Sequence, residues 1–323
     1  MTSQFISTDE AAHAAGRLGH GGTASVLASE RDQTFRLDTP AGQRLVLKIC
    51  HPDEDPAMIG FQLGAMRHLA AVAPGLPVPR VHGAAPLHYH DGTTRLTALL
   101  SWLDGAPLHA HQGGAAQARA LGALMARIGL ALHAMPAPEP APYQFWDIAN
   151  LPDIRPRLAV LDAEVRAAVE PVLAEFAAHT GPALAALPRQ VLHNYFNPYN
   201  IFVDAADPAR ITGVIDFGDI AVTARVNDLA IALSYRLPHA ALRPTIGPWL
   251  AAYDEAWPLS AAERDLLPHL IRARMAMTVT FSAWRARLHP ENAAYLLRFH
   301  HPARAALAAP APSFEEMTRW TVT

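Results

Sequence analysis

Along the first hundred residues the apolar positions come in short runs separated by polar tips. After an opening helix at about 8–15, TASVL (23–27), the polar tip ASERDQ (28–33) and TFRL (34–37) read as strand, tip and strand. A turn at 40–43 leads into RLVLKI (44–49), a third strand. Met58, Phe61, Ala65 and Leu69 then recur at helical spacing over 56–72, until the prolines of 74–79 stop the helix. Two further strands follow, joined by a polar tip at 87–95, and the second occupies 96–102.

Beyond residue 104 the helical period takes over. Leu121, Leu124, Met125, Ile128 and Leu132 place one apolar face on a helix over 115–134. Another helix starts near Asp162, a suitable N-cap, with Leu161, Val165, Val172 and Phe176 as its apolar face and a kink expected at Pro171. Short strands are predicted just before residue 193, at 201–203 and at 211–215, followed by a helix N-capped by Asn227 or Asp228. Two more helices are expected at 248–255 and 261–274. The stretch MAMTVTFSAWRAR (275–287) has no amphipathic period, which predicts a helix buried on most sides. A small sheet with one helix, followed by a mostly helical part, makes the fold class α+β.

Composition narrows the partners. A length of 323 residues suits about two domains. With 51% hydrophobic and 17% charged residues the chain has material for sizeable cores and does not read as disordered. A net charge of −3 supplies no field for nucleic acid, so a small molecule is the expected partner. One cysteine, Cys50, excludes an intramolecular disulfide framework. The opening residues lack a basic-then-apolar leader, and no apolar run of about 18 residues occurs, so a cytoplasmic protein without a membrane partner is expected.

The chemistry-bearing residues cluster around 191–219. Phosphoryl transfer needs hard oxygen ligands for Mg2+ and something that holds the attacking hydroxyl in line. An amide oxygen from Asn200 and a carboxylate from Asp216, at the ends of adjacent strands, suit such an ion. Lys48 is the only charge in the apolar second half of its strand, so it is paired, serves an anion, or blunts a sheet edge.

The order His193-x-Tyr195-x4-Asn200, followed by Ile215-Asp216-Phe217-Gly218-Asp219, resembles the H-x-D-x4-N and D-F-G-like signatures of protein kinases. It is closer still to the aminoglycoside phosphotransferase and choline kinase superfamily, where H-N-D and I-D-F-G-D are common forms. SERDQTFRLDTP, FWDI, GVIDFGD and VNDLAIALSY look most like its hydroxylysine-kinase-like branch.

The resemblance implies a bilobal protein-kinase-like fold, with an N-lobe at 1–103 that binds nucleotide and a C-lobe at 104–323 that carries the catalytic loop, metal site and acceptor pocket. It implies ATP or GTP as co-substrate, Mg2+, and a small hydroxylated amine or amino acid as acceptor. Ser29, Glu30 and Arg31 of the strand-to-strand tip and Lys48 would hold phosphates, with Gln62 either beside Lys48 or on the helix's solvent edge. Backbone groups from about residue 100 through Ser101 to Leu103 would meet the purine. Asn200 and Asp216 would hold the metal, His193 would brace the loop, and Asp219 would stay near the metal or acceptor. Asp147 and Asp219 are candidate anions for the acceptor's ammonium. Trp284 either meets substrate or packs in the core.

Other features carry less. Gly19, Gly21 and Gly22 precede the first strand and read as a helix stop and turn. The arginines at 272, 274, 285 and 287 either neutralise an acidic group on a substrate or line a solvated face. By the same resemblance Asp228 is structural.

One departure qualifies the function. The family's catalytic-loop Asp is here Tyr195, and a phenol with an ordinary pKa of about 10 cannot replace a carboxylate base. Two readings remain open: a kinase whose turnover is reduced or whose acceptor is activated differently, and a pseudokinase that binds nucleotide or metabolite as a sensor or partner.

Overall fold

The alternating residues of the N-terminal part form a five-stranded antiparallel sheet. Its strands are β1 (Thr23–Leu27), β2 (Gln33–Asp38), β3 (Arg44–Ile49), β4 (Val81–His88) and β5 (Thr94–Ser101), in the order β1-β2-β3-β5-β4. The computed structural model describes residues 5–29, 31–111 and 113–321. In β3 the residues Leu45, Leu47 and Ile49 turn to one face. There they join Phe35, Leu37, Leu99 and the small residues Ala11, Ala14 and Ala15 of helix α1 (Thr8–Arg17) in a buried cluster. Lys48 falls between them and points to the other face, since neighbours on a strand alternate. Its register, opposite Thr34 of β2 and Ala98 of β5, keeps it in the middle of the sheet. Helix α2 (Pro56–Val72) starts where the Asp55 carboxylate accepts from the Ala57 amide at 2.9 Å and Pro56 begins the first turn.

The chain packs as two units, Met1–Asp104 with Gly213–Ile215, and Gly105–Thr212 with Asp216–Thr323. Beside the expected division at residue 103, the first unit therefore takes back three residues from much later in the chain. Gly105 opens the second unit with φ +146, and a Cβ there would lie 2.2 Å from Thr212 Oγ1 and 2.9 Å from the Val203 carbonyl. Only glycine meets both demands.

The second unit contains β6 (Ala106–Pro107), α3 (Ala115–His133), a 3-10 run at Ile148–Val160, α4 (Ala163–Glu175) and α5 (Gly181–Ala185). Next come β7 (Arg189–Leu192), β8 (Ile201–Val203), β9 (Ile211–Val214), whose residues from Gly213 belong to the first unit, and β10 (Ala221–Ala224). The last helices are α6 (Arg225–Ser234), α7 (Ile246–Ala256), α8 (Ala261–Leu288), α9 (Ala293–Leu296), α10 (His300–Leu307) and α11 (Phe314–Arg319). β10 pairs antiparallel with β7, and β8 and β9 are neighbours in a small sheet of order β6-β8-β9.

Helix α4 carries Pro171 inside it and runs on into a π-helical turn at Phe176–Thr180. Two expectations about elements need correction. Asn227 and Asp228 are not N-caps, because α6 already starts at Arg225. Residues 261–274 and 275–287 are one helix, α8, opened by a reciprocal Ser260–Glu263 capping box. Among the described residues no helix is long and apolar enough to cross a membrane.

Candidate active site

In the first unit the phosphate-loop candidates are bound to one another. Lys48 Nζ lies 2.9 Å from Asp32 Oδ2, and the other oxygen of Asp32 accepts from the His51 amide at 2.8 Å. The Ser29 hydroxyl donates to the Asp32 carbonyl, and Arg31 pairs with Glu54 at 3.2 Å. Glu30 lies outside the described residues. The carboxylate beside Lys48 therefore comes from the strand-to-strand tip and not from α2. Gln62 is only 7% exposed, which corrects the solvent-edge alternative. At the end of β5 the Ser101 amide donates to the Arg80 carbonyl at 2.9 Å, so that donor is committed. The next residues are fixed by Trp102 Nε1 donating to Asp104 at 3.0 Å and by Arg44 pairing with Asp104 at 2.6 Å.

In the second unit β7 delivers a tightly bonded loop. His193 is fully buried, its Nδ1 accepts from the Tyr195 amide at 3.2 Å, and its ring meets Phe217 edge-on with centroids 4.7 Å apart. Asn194 has φ +61, and its amide donates to the Asp228 carboxylate at 2.9 Å. Asn tolerates this left-handed conformation better than most residues. Burial pushes the Asp228 pKa up to about 7, against the pull of that hydrogen bond. Asn197 Oδ1 accepts from the amides of Tyr199 at 2.8 Å and Asn200 at 3.2 Å. Asn200 Nδ2 in turn donates to the Tyr195 carbonyl at 3.2 Å. With its nitrogen so engaged, Asn200 retains its amide oxygen as a hard donor.

Asp216 stands two residues beyond β9 at φ +64, exposed, with Oδ1 accepting from the Gly218 amide at 3.1 Å. A non-glycine residue held in this region is a strained position of the kind found at functional sites. Among the described residues no three His, Cys, Asp or Glu side chains gather as a cation cage. An amide oxygen and a carboxylate fit an ion such as Mg2+, which completes its shell with substrate phosphates and water.

Around Tyr195 the field opposes ionisation. Burial, then Asp219, Tyr235 and Asp216, push its pKa well above the ordinary phenol value, with Arg298 pulling the other way. Asp219 is pushed up to about 7 by burial, with Arg274 opposing and Asp216 reinforcing, and its Oδ2 is sealed from solvent without a hydrogen-bond partner. The loop thus presents a neutral phenol, an exposed carboxylate and a readily protonated carboxylate.

Residues 23–264 of the chain match the phosphotransferase enzyme family. The chain belongs to this family. The phosphotransferase is 26% identical over 299 residues to the hydroxylysine kinase of Mus musculus, covering 84% of this chain and 80% of that one. It is 31% identical over 302 residues to the homoserine kinase of Acidiphilium cryptum, covering 85% and 88%. Among solved structures it resembles an amicoumacin kinase in complex with AMP-PNP, Ca2+ and Ami, with a TM-score of 0.69, 17% identity and coverage of 91% and 92%. A microcompartment-associated aminopropanol kinase matches with a TM-score of 0.66, 17% identity and coverage of 92% and 96%. These likenesses show the protein-kinase-like fold.

Elsewhere in the phosphotransferase two candidates change character. Asp147 is 4% exposed, and its Oδ1 accepts from the Ala149 amide at 3.2 Å, Thr223 Oγ1 at 3.0 Å and Asn227 Nδ2 at 3.0 Å. It is a buried brace and not an open anion for an ammonium group. Trp284 is half-buried, with the Arg157 guanidinium 4.5 Å from its ring centroid and Phe145 at 6.1 Å, which fits the core-packing alternative. Arg274 is 1% exposed, which corrects the solvated-face alternative, and it acts on Asp219 and Tyr195. Asn197 and Arg298 carry no signal in the sequence, because each acts through a tertiary neighbour and neither is a fixed position of a spaced motif.

Proposed function

We propose that the chain moves the γ-phosphoryl group of ATP or GTP to the hydroxyl of a small amine-bearing metabolite, a hydroxylated amino acid or an amino alcohol. The observation that carries this reading is the pair of hard oxygens, Asn200 before β8 and Asp216 after β9, on a loop braced by His193 in a chain of the phosphotransferase family. Relatives named hydroxylysine kinase and homoserine kinase, and an aminopropanol kinase of the same fold, support the acceptor class, since each name denotes a molecule with a hydroxyl and an amine. The neighbour solved with AMP-PNP and Ca2+ supports a nucleotide accompanied by a divalent ion.

In this reading residues 1–103 bind nucleotide, with Ser29, Arg31 and Lys48 on the phosphates and backbone near Leu103 on the purine. Asn200 and Asp216 hold Mg2+, which when bound neutralises charge on the phosphates. The bond that forms joins the acceptor oxygen to the γ-phosphorus, the bond from that phosphorus to the β,γ-bridging oxygen breaks so that the nucleoside diphosphate leaves with the electron pair, and the acceptor proton passes to solvent water. Tyr195, neutral at physiological pH, orients and does not take that proton. Phosphoryl transfer relies mainly on positioning and charge stabilisation, so the loss of the base lowers the rate without abolishing the reaction.

The raised pKa of Tyr195 also favours a second reading, a pseudokinase that binds nucleotide or metabolite without turnover. Calorimetric titration of ATP and GTP with and without Mg2+, followed by assay of nucleoside diphosphate release across hydroxylated amines, separates the two. Magnesium-dependent binding with turnover is the expected result. Binding without turnover selects the pseudokinase, and no binding removes the kinase and the nucleotide-binding pseudokinase alike.

A further inference from the structure

Arg274 and Arg298 of the second unit are among the arginines that make no ion pair among the described residues. Arg274 is buried on α8, with Nη1 donating to the Trp146 carbonyl at 2.7 Å and Nη2 to the Tyr235 phenol oxygen at 3.3 Å. Its Nε is sealed from solvent without an acceptor. Arg298, between α9 and α10, lies 3.7 Å from the ring centroid of Tyr295, 4.8 Å from that of Phe299 and 5.2 Å from that of Tyr199. Its Nη1 donates to the Tyr295 carbonyl at 2.7 Å, and its Nε is likewise sealed and unpartnered. Tyr235 links the two, bonding Arg274 and packing edge-on against Phe299 at 4.6 Å.

Burying a guanidinium costs several kcal/mol unless an anion or full hydrogen bonding compensates it. Here aromatic faces and carbonyl oxygens do part of that work and leave donors over. Both arginines act electrostatically on Tyr195, the residue in the seat of the acceptor-activating group. Asp219 acts on the same phenol with the opposite sign. Arg298, against the ring of Tyr199 next to Asn200, thus brings a fixed positive charge to the catalytic loop that matches an anionic group on the acceptor.

We propose that the acceptor carries a carboxylate and that Arg298 recognises it, with Arg274 holding Tyr235 in place behind it, so that the substrate is a hydroxylated amino acid and not an amino alcohol. A planar guanidinium matches a carboxylate in a two-point hydrogen-bonded pair, whereas an amino alcohol leaves those donors unanswered. The inference rests on the phosphotransferase reading of the site.

The test uses acceptor pairs that differ only in the carboxylate: L-homoserine against 3-aminopropan-1-ol, and 5-hydroxylysine against its decarboxylated diamine. Each is titrated calorimetrically into the full chain in the presence of Mg2+ and a non-hydrolysable ATP analogue. In at least one pair the carboxylate-bearing member binds about tenfold or more tighter. Arg298→Gln abolishes that preference at unchanged affinity for the ATP analogue, and Arg298→Lys, which keeps the charge without the fork, retains part of it. Thermal melts establish that both variants are folded. Equal affinity within both pairs, binding of none of the four, a preference that survives Arg298→Gln, or a loss of nucleotide affinity in that variant would each overturn the inference. Amino acid binding in a chain that fails to bind Mg2+ and nucleotide would instead remove the phosphotransferase reading.

Discussion

Tyr195 can donate a hydrogen bond at neutral pH but cannot act as a base, because burial and the carboxylates of Asp219 and Asp216 hold its proton in place. Replacing it with the family's residue, Tyr195→Asp, is expected to raise phosphotransfer at least about tenfold, below the roughly hundredfold low end of what a well-placed general base contributes. Single-turnover assays with an acceptor already known to bind decide this, and no gain would sink the mechanism. Asp228 makes a second prediction. Its folded pKa of about 7 lies above the ordinary carboxylate value of 3.8, so between those values the native state holds a proton that the unfolded chain releases. Its contribution to stability is therefore present at low pH and lost as pH rises through about 4 to 7. Asp228→Asn keeps an oxygen for the Asn194 amide while removing the titration, so its melting temperature should fall less than the native chain's between about pH 5 and pH 8. An identical fall in both proteins would count against this. At this scale the sequence showed residues that stand in a spaced motif, such as His193, Asn200 and Asp216. It hid Asn197 and Arg298, whose roles come from neighbours brought by folding.

Helices with one apolar face were legible and helices without one were not. Over 56–72 the spacing of Met58, Phe61, Ala65 and Leu69 marked out α2 to the residue, with Asp55 and Pro56 fixing its start. In α8 every residue from Ala273 to Ser282 is buried, so the period that would have joined 261–274 to 275–287 is absent from the sequence. The 3-10 run at Ile148–Val160, with Pro152 and Pro156 inside it, and the four-residue strand β10 were likewise unforeseen, since neither has enough periodic length to be read. Close approach of α3 and α7 supplies the prediction for this scale. A Cβ on Gly122 would lie 2.2 Å from the Trp249 carbonyl oxygen, a backbone atom that cannot rotate away. Gly122→Ala should therefore cost about 1–3 kcal/mol in a denaturant melt, as overpacking typically does. A cost under about 0.5 kcal/mol, the range of a neutral surface change, would mean that the helices slide apart freely.

For the molecule as a whole, composition correctly announced a chain that folds into large apolar cores, and motif order announced its family. What neither disclosed is that the first unit is discontinuous in sequence. Gly213–Ile215 belong with residues 1–104, Val214 is fully buried, and its amide donates to the Pro77 carbonyl at 2.8 Å. A fragment expressed as residues 1–104 lacks that valine and leaves the Pro77 carbonyl without its donor. Limited proteolysis should cut such a fragment near 74–79 much faster than the intact chain, and equal resistance would show that the returning stretch adds nothing there. The practical boundary for dissecting this protein is thus not a point on the chain. Any split, permuted or truncated version that separates residue 77 from residue 214 must supply the second in trans.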